Sequence, residues 1–188
     1  RLLACGRAAS ADQMMQVAGI VGWHNSGKTT LVTALVSELV ARGYRVSTVK
    51  HAHHGFDVDK PGKDSWKHRE SGATEVMVGS SARWALMHEL RGGDEPALAE
   101  LLATMSSVDL VLVEGFKHEG HDKIEVYHAG LDEPPIACAD PTVVAVAEDG
   151  KTMKLPNKTQ RLDASDPPAV ADFIEQHWGL SRLAERTA

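Results

Sequence analysis

Short, continuously apolar runs alternate along this chain with stretches in which apolar residues recur every three to four positions. Val17, Ala18, Gly19, Ile20 and Val21 make the first run and predict a buried strand over 17–21. Leu31, Leu35, Leu39 and Val40 follow at helical spacing and predict an amphipathic helix with these four on its inner face. Gly43 stops that helix, and 44–50 reads as a second strand. A polar segment over 51–63 precedes a short helix over 64–70, ended by Ser71 and Gly72. Two strands, 75–78 and 82–88, flank the turn Gly79-Ser80-Ser81. A helix over 96–105 leads to 109–113, where Asp109 precedes Leu110, Val111, Leu112 and Val113, the pattern of a central parallel strand. Strands over 124–127 and 143–146 and a last helix over 168–178 complete the series, with no internal repeat or low-complexity linker.

Such alternation implies an α/β architecture, a mainly parallel sheet with helices on both faces. Ligands in such sheets sit at the carboxyl ends of the strands. That rule groups the segment after 17–21, the loop 51–63 and the residues after Val113 around one crevice.

The first of those segments carries chemistry. Gly22-Trp23-His24-Asn25-Ser26-Gly27-Lys28-Thr29 spells G-x-x-x-x-G-K-T between a strand and a helix, the context in which this pattern is a phosphate-binding P-loop. Gly22 and Gly27 allow the tight turn that points successive N–H groups at phosphate oxygens. The helix beginning there adds its positive dipole end. Lys28 is expected on the terminal phosphates, and the Thr29 hydroxyl on an accompanying Mg²⁺. The expectation is therefore a three-layer P-loop NTPase fold. A metal-bound nucleotide also needs an acidic group at the end of a neighbouring strand, and Glu114, directly after Val113, is placed for it. Gly115 beside it would let backbone approach the phosphates. Asp109, at the other end of that strand, reads as a structural turn residue.

Composition narrows the picture without changing it. The chain has 188 residues, enough for one well-packed domain and short for two. With 43% hydrophobic and 24% charged residues it has the make-up of an ordinary globule. Twenty basic against 26 acidic residues give a net charge of −6, which argues against general nucleic-acid binding. Cys5 and Cys138 are the only cysteines, so neither a disulfide framework nor a four-cysteine metal site is available. No apolar stretch approaches the ~20 residues of a membrane span, and a cytoplasmic location is expected. Residues 1–14 open on Arg1 rather than Met, are dominated by Ala, Ser and Gly, and lack the layout of a secretory signal. They read as a disordered upstream extension or a non-native remnant, with the folded domain spanning 15–180.

The loop 51–63 is the most unusual segment. His51, His53 and His54 with Asp57, Asp59 and Asp64 admit a transition-metal site, since imidazole and carboxylate suit Zn or Ni. In an extended chain His51 and His53 alternate while His54 points elsewhere. A polar loop closing over phosphates needs the same composition, carboxylate for Mg²⁺ and cations for phosphate charge. Lys60-Pro61-Gly62-Lys63 forms a turn with two cations before the possible helix cap Asp64-Ser65. Trp23 stands where the ATPases that partition DNA or septa carry a second lysine, so that group is excluded. Asn157-Lys158-Thr159-Gln160 begins like the guanine-reading N-K-x-D but lacks the carboxylate that would pair with the base.

Three segments together resemble the molybdopterin-guanine dinucleotide biosynthesis adaptor protein B family. They are 21–31, the run Thr48-Val49-Lys50-His51-Ala52-His53-His54 continuing to Pro61-Gly62-Lys63-Asp64-Ser65, and 109–117 with Lys123-Ile124-Glu125-Val126. The likeness extends from about 17 to 173. It implies a P-loop GTP-binding protein, dimeric, that binds GTP with Mg²⁺, hydrolyses it slowly and assists the guanylyltransferase that joins GMP to molybdopterin. Carried over, Gly22, His24, Asn25, Ser26, Gly27, Lys28, Thr29 and Thr30 hold the phosphates, with Thr29, Asp57 and Glu114 at the metal. Lys28, Asp57 and Lys63 take the catalytic positions, Asp57, Asp59 and Lys63 lying in a mobile phosphate-proximal loop. Gly55-Phe56 departs from the more polar pair of many relatives, which bears on the role of Asp57. Asp149, just past the strand over 143–146, is the candidate for touching guanine. Two other functions compete. An ATP-dependent small-molecule kinase or ligase would need an acceptor pocket and an arginine-rich lid, for which Arg69 is a thin basis. A GTP-driven metal-insertion chaperone would place cysteines beside the histidines, and Cys5 and Cys138 have no such neighbours.

Overall fold

The computed structural model describes residues 15–52, 55–128, 130–150, 155–156 and 158–181. In chain order the elements are β1 (Gln16–Val21), α1 (Lys28–Ala41), β2 (Val46–Lys50), α2 (Asp64–Glu70), β3 (Glu75–Gly79), β4 (Trp84–His88), α3 (Leu98–Ala103), β5 (Leu110–Glu114), β6 (Lys123–Tyr127), a 3₁₀ turn (Ile136–Cys138), β7 (Val143–Glu148), β8 (Gln160–Asp163) and α4 (Pro167–His177). They pack as two compact units, Arg1–His51 with Ser106–Ala188, and Ala52–Met105.

The first unit is built on a six-stranded sheet in the order β2-β5-β1-β6-β7-β8. Every pairing in it is parallel. Strand alternation divides its side chains. Ala18, Ile20, Leu110, Leu112, Ile124, Val126, Ala145 and Ala147 turn to the side on which α1 and α4 contribute Leu31, Leu35, Leu39, Val170 and Ile174. Val21, Tyr127, Val143 and Val146 pack on the other side with Ala137 of the 3₁₀ turn. Burying each large aliphatic side chain contributes about 1.5–3 kcal/mol, so this double-sided core makes β1 and its neighbours a rigid base for whatever follows them. Arg42 ties the two helices together by ion pairs to Glu38 on its own helix and to Asp172 and Glu175 on α4. Those carboxylates hold the guanidinium well above its ordinary pKa against the opposing effect of burial. Asp109 accepts from the Arg45 backbone N–H at 2.8 Å and pairs with its guanidinium at 2.9 Å, a structural role at the amino end of β5.

The second unit holds α2, the antiparallel hairpin β3–β4 and α3. The hairpin is a two-stranded sheet of its own.

Several details differ from the reading of the sequence. Val40 is 53% exposed, and Val32 takes the fourth buried position on α1 with Leu31, Leu35 and Leu39. Val40 belongs to the last turn, at the margin of the apolar stripe. Tyr44 is buried but precedes β2, and Arg45 is diverted to Asp109 before the ladder begins. The helix foreseen over 96–105 contracts to α3. The strand β8 was not foreseen at all. It offers only Leu162 to the core, at an outer edge, so its sequence lacks an apolar alternation. His53, His54, Asn157 and the segment 1–14 lie outside the described residues.

Candidate functional site

The turn after β1 owes its shape to backbone torsions that ordinary residues resist. Gly22 (φ 151°), Asn25 (φ 58°) and Gly27 (φ 92°) all have positive φ. A side chain at Gly22 would place its Cβ 2.4 Å from the Val126 carbonyl oxygen and 2.5 Å from Ser26 Oγ. No substituent fits there. Gly27 opens α1 without a side-chain cap, and the first turn of α1 has no acidic residue. Its free N–H groups and positive dipole end are therefore available to an anion.

Lys28 curls back over the loop, its Nζ donating to the carbonyls of Gly22 (2.9 Å) and Trp23 (2.6 Å). Burial lowers its pKa; Glu114 opposes that shift, while Lys50 and Lys117 add to it. The parallel register brings Glu114 opposite Ile20, one strand from the loop. There the Thr29 hydroxyl donates to Glu114 Oε1 at 2.8 Å, and Lys50 Nζ reaches the same oxygen at 3.3 Å. Lys28, Lys50 and Lys117 outnumber Glu114, the one carboxylate whose charge acts on Lys28, a balance that favours an incoming polyanion.

Ser26 is the test of fit. It is buried, and its Oγ has no hydrogen-bond partner. Leaving such a hydroxyl unsatisfied costs about 1–3 kcal/mol, and a phosphate oxygen in the loop would remove that cost. Thr29 and Glu114 are the hard oxygen ligands that Mg²⁺ prefers. A phosphate chain with Mg²⁺ therefore fits the residues present.

Of the residues singled out in the sequence, Gly22, Asn25, Ser26, Gly27, Lys28, Thr29 and Glu114 converge here. His24 and Thr30 lie on the same loop and first helical turn with exposed side chains. Gly115 (φ 95°) is required for a reason the sequence did not reveal: a Cβ there would lie 2.8 Å from His51 Cβ. Asp149 follows β7 at the same carboxyl edge of the sheet, its Oδ2 3.5 Å from His128 Nε2. With Glu148, Gly150, Arg161, Asp163 and Ser165 it lines an open depression of about 640 Å³. In the second unit, Arg69 engages both oxygens of Asp57, at 3.2 and 2.8 Å, and holds that carboxylate below its ordinary pKa. Asp59 accepts from Ser65 at 2.9 Å, and Lys63 sits at the amino end of α2. Among the described residues no group of three or more His, Cys, Asp or Glu side chains is arranged to hold a metal ion. Sequence reasoning missed Lys50 and Lys117 as members of the site; the signal available was a lysine at the end of β2 and another just beyond the end of β5, the two strands on that side of β1.

A loop moulded by left-handed residues, closing onto a helix amino end and faced by a carboxylate from the adjacent parallel strand, places the molecule among the P-loop nucleotide-binding folds. A model of the family described as molybdopterin guanine dinucleotide synthesis protein B matches residues 17–149. The chain belongs to this family, MobB. It is 42% identical over 164 residues to the molybdopterin-guanine dinucleotide biosynthesis adapter protein of Escherichia coli K12, covering 86% of this chain and 92% of that protein. It is 40% identical over 169 residues to the protein of the same name from Haemophilus influenzae, covering 87% and 90%. The crystal structure of Bacillus subtilis MobB superposes with a TM-score of 0.67 at 26% identity, over 87% of this chain and 98% of that one. No helix among the described residues is long and apolar enough to cross a membrane.

Proposed function

We propose that this chain is a GTP-binding adaptor in molybdenum cofactor biosynthesis. It binds GTP with Mg²⁺ in the loop after β1, hydrolyses it slowly, and assists the molybdopterin guanylyltransferase that attaches GMP to molybdopterin. The observation that carries the reading is the Thr29–Glu114 contact of 2.8 Å beside the Lys28 ammonium and the unsatisfied Ser26 hydroxyl. Lys28 neutralises phosphate charge, Thr29 and Glu114 hold the metal, and the N–H groups of 22–29 take the phosphate oxygens. The names borne by relatives at 40–42% identity supply the pathway.

Asp149 is the proposed partner of the guanine base. β7 lies two strands from β1, about 10 Å along the carboxyl edge at ordinary strand spacing. That is the span between the terminal phosphates and the base of one nucleotide lying along that edge. Slow turnover is consistent with a site whose one carboxylate is already committed to Thr29 and Lys50. The proposed form is a cytoplasmic homodimer. Met77 pairs with Leu86 and Gly79 with Trp84 across the hairpin, so Met77, Leu86 and Trp84 share one face, and they are 65%, 45% and 66% exposed. Contiguous apolar surface of this kind marks an interaction site.

Calorimetric titration with Mg-GTP and Mg-ATP tests the reading. Preference for GTP, abolished in a folded Lys28→Ala chain, is the expected result. Unchanged affinity in that variant would overturn the phosphate site, and preference for ATP would move the function to a kinase or ligase.

A further inference from the structure

Lys117 is an unusual cation for its position. It is half-buried, three residues beyond the carboxyl end of β5, and no carboxylate pairs with it among the described residues. Its ammonium lies instead over the indole of Trp23, 4.8 Å from the ring centroid. Trp23 is the second residue of the phosphate loop, and its own ring is fixed by Nε1–H donating to the Pro134 carbonyl at 2.9 Å. The lysine is held there by a strained exit from β5. Gly115 (φ 95°) and Phe116 (φ 50°) are consecutive left-handed residues, and the phenylalanine ring packs tilted against His51 with centroids 4.7 Å apart. A bulky aromatic residue adopts positive φ only where its surroundings impose it, and such strain gathers at functional sites.

A cation resting on an aromatic face is held weakly compared with one paired to phosphate oxygens. Lys117 is also near enough to the phosphate-binding lysine to act on its charge. It is therefore a cation seated on the phosphate loop itself, over Trp23, whose carbonyl Lys28 also engages. Of the three ammonium groups gathered there, Lys28 is committed to the loop carbonyls and Lys50 to Glu114. Only Lys117 is left to respond to the number of phosphates present.

We propose that Lys117 senses the third phosphate: it rests on Trp23 when the terminal phosphate is absent and pairs with that phosphate when it is present, so that this residue sets the preference for a triphosphate over a diphosphate. The inference rests on the GTP reading above and deepens it. In the diphosphate state the cation–π contact persists and the loop 115–122 stays where it is seen here. In the triphosphate state the contact breaks, and the indole of Trp23 loses the adjacent charge.

The test is calorimetric titration of the full chain with Mg-GTP and Mg-GDP, in the wild type, Lys117→Met and Lys117→Arg. Loss of one such ion pair near a protein surface predicts about a tenfold weaker GTP affinity in Lys117→Met, with GDP affinity held within about twofold. Lys117→Arg, which keeps the charge, retains the preference. The second readout is tryptophan emission, taken as the difference between the wild type and Trp23→Phe. GTP shifts the Trp23 signal and GDP does not, and the GTP-specific shift disappears in Lys117→Met. Equal affinities for GTP in Lys117→Met and the wild type, or an equal loss for both nucleotides, would overturn the inference while leaving the GTP reading in place. A wild-type chain that bound neither nucleotide would overturn both.

Discussion

The two units of this molecule are stabilised in different ways. Ala52–Met105 buries only Val76 and Leu98 of its described hydrophobic residues, whereas every other buried hydrophobic side chain belongs to the sheet-bearing unit. The large exposed hydrophobics are distributed the opposite way: all except Val40 (Phe56, Val58, Met77, Val78, Trp84, Leu86 and Leu90) lie between 52 and 105. In place of a core the smaller unit has a polar lattice. Arg69 clamps Asp57 and reaches Glu89, Arg91 donates to the carbonyls of Arg69 and Ala73, and Ser65 donates to Asp59. The larger unit can therefore hold the strained loop 22–27 in place, because the strands beneath it have no freedom to relax. The smaller one leaves an apolar face of its hairpin exposed, the face proposed above for dimer contact.

A matched pair of substitutions breaks the comparison most directly. Leu35 is fully buried on α1 and Leu98 nearly so on α3. Leu35→Ala is expected to lower global stability by about 3–4 kcal/mol in urea unfolding. Leu98→Ala is expected to cost about 2 kcal/mol, seen as proteolytic opening of 52–105 while the rest of the chain stays protected. Equal, global losses for both would show one cooperative core. The next effect concerns assembly rather than stability. Trp84→Asp on the exposed face of the hairpin should convert the proposed dimer to a monomer in sedimentation, with unfolding free energy within about 0.5 kcal/mol of the wild type. A dimer that survives this change does not use that face.

The smallest effect sharpens a contrast in buried charge. Lys123 and Glu125 are fully buried in the larger unit, and the smaller unit has no buried charged residue among those described. Lys123 is satisfied by Asp140, Thr142 and the Glu119 carbonyl. Glu125 accepts from the backbone N–H groups of Ile136 (2.8 Å) and Ala137 (2.9 Å), anchoring the 3₁₀ turn under the sheet. Burial nevertheless pushes its carboxyl above the ordinary value near 4.5, the two N–H donors opposing the shift. The folded state then holds this proton more tightly than the unfolded chain does. Stability accordingly falls as pH rises from 4.5 through the raised pKa, and is flat with respect to this group below 4.5. Glu125→Gln should remove that slope from urea unfolding measured from pH 4.5 upward. An identical slope in the variant would assign it to another group.

What was legible in advance followed from range. The loop 22–29 is one contiguous motif whose function depends on its own torsions, so eight letters in a row specify it. Helix α2 was likewise bounded correctly, with the stop at Ser71-Gly72 a local signal. The cap expected at Asp64-Ser65 does not form: Lys63 is the N-cap without a side-chain bond, and Ser65 donates to Asp59 instead. The ends of α3 and the position of Val40 were misjudged where tertiary packing, not propensity, trims a helix or turns a residue outward. β8 was missed because an exposed edge strand needs only one inward residue and so carries almost no pattern.

The sequence by itself determined that strands and helices alternate, that a phosphate loop opens α1, and which family the residues around it resemble. Only the tertiary structure decided which groups meet across that loop. Thr29 and Glu114 are separated by 85 positions and touch because β1 and β5 pair in register, Ile20 opposite Glu114. Lys117 reaches Trp23 because two left-handed residues redirect the chain as it leaves β5, and Asp57 is drawn to Arg69 rather than left free in its loop. A motif read along the backbone is set by nearest-neighbour torsions and hydrogen bonds. Contacts between distant side chains depend on strand order and register, which the packing of the whole core selects.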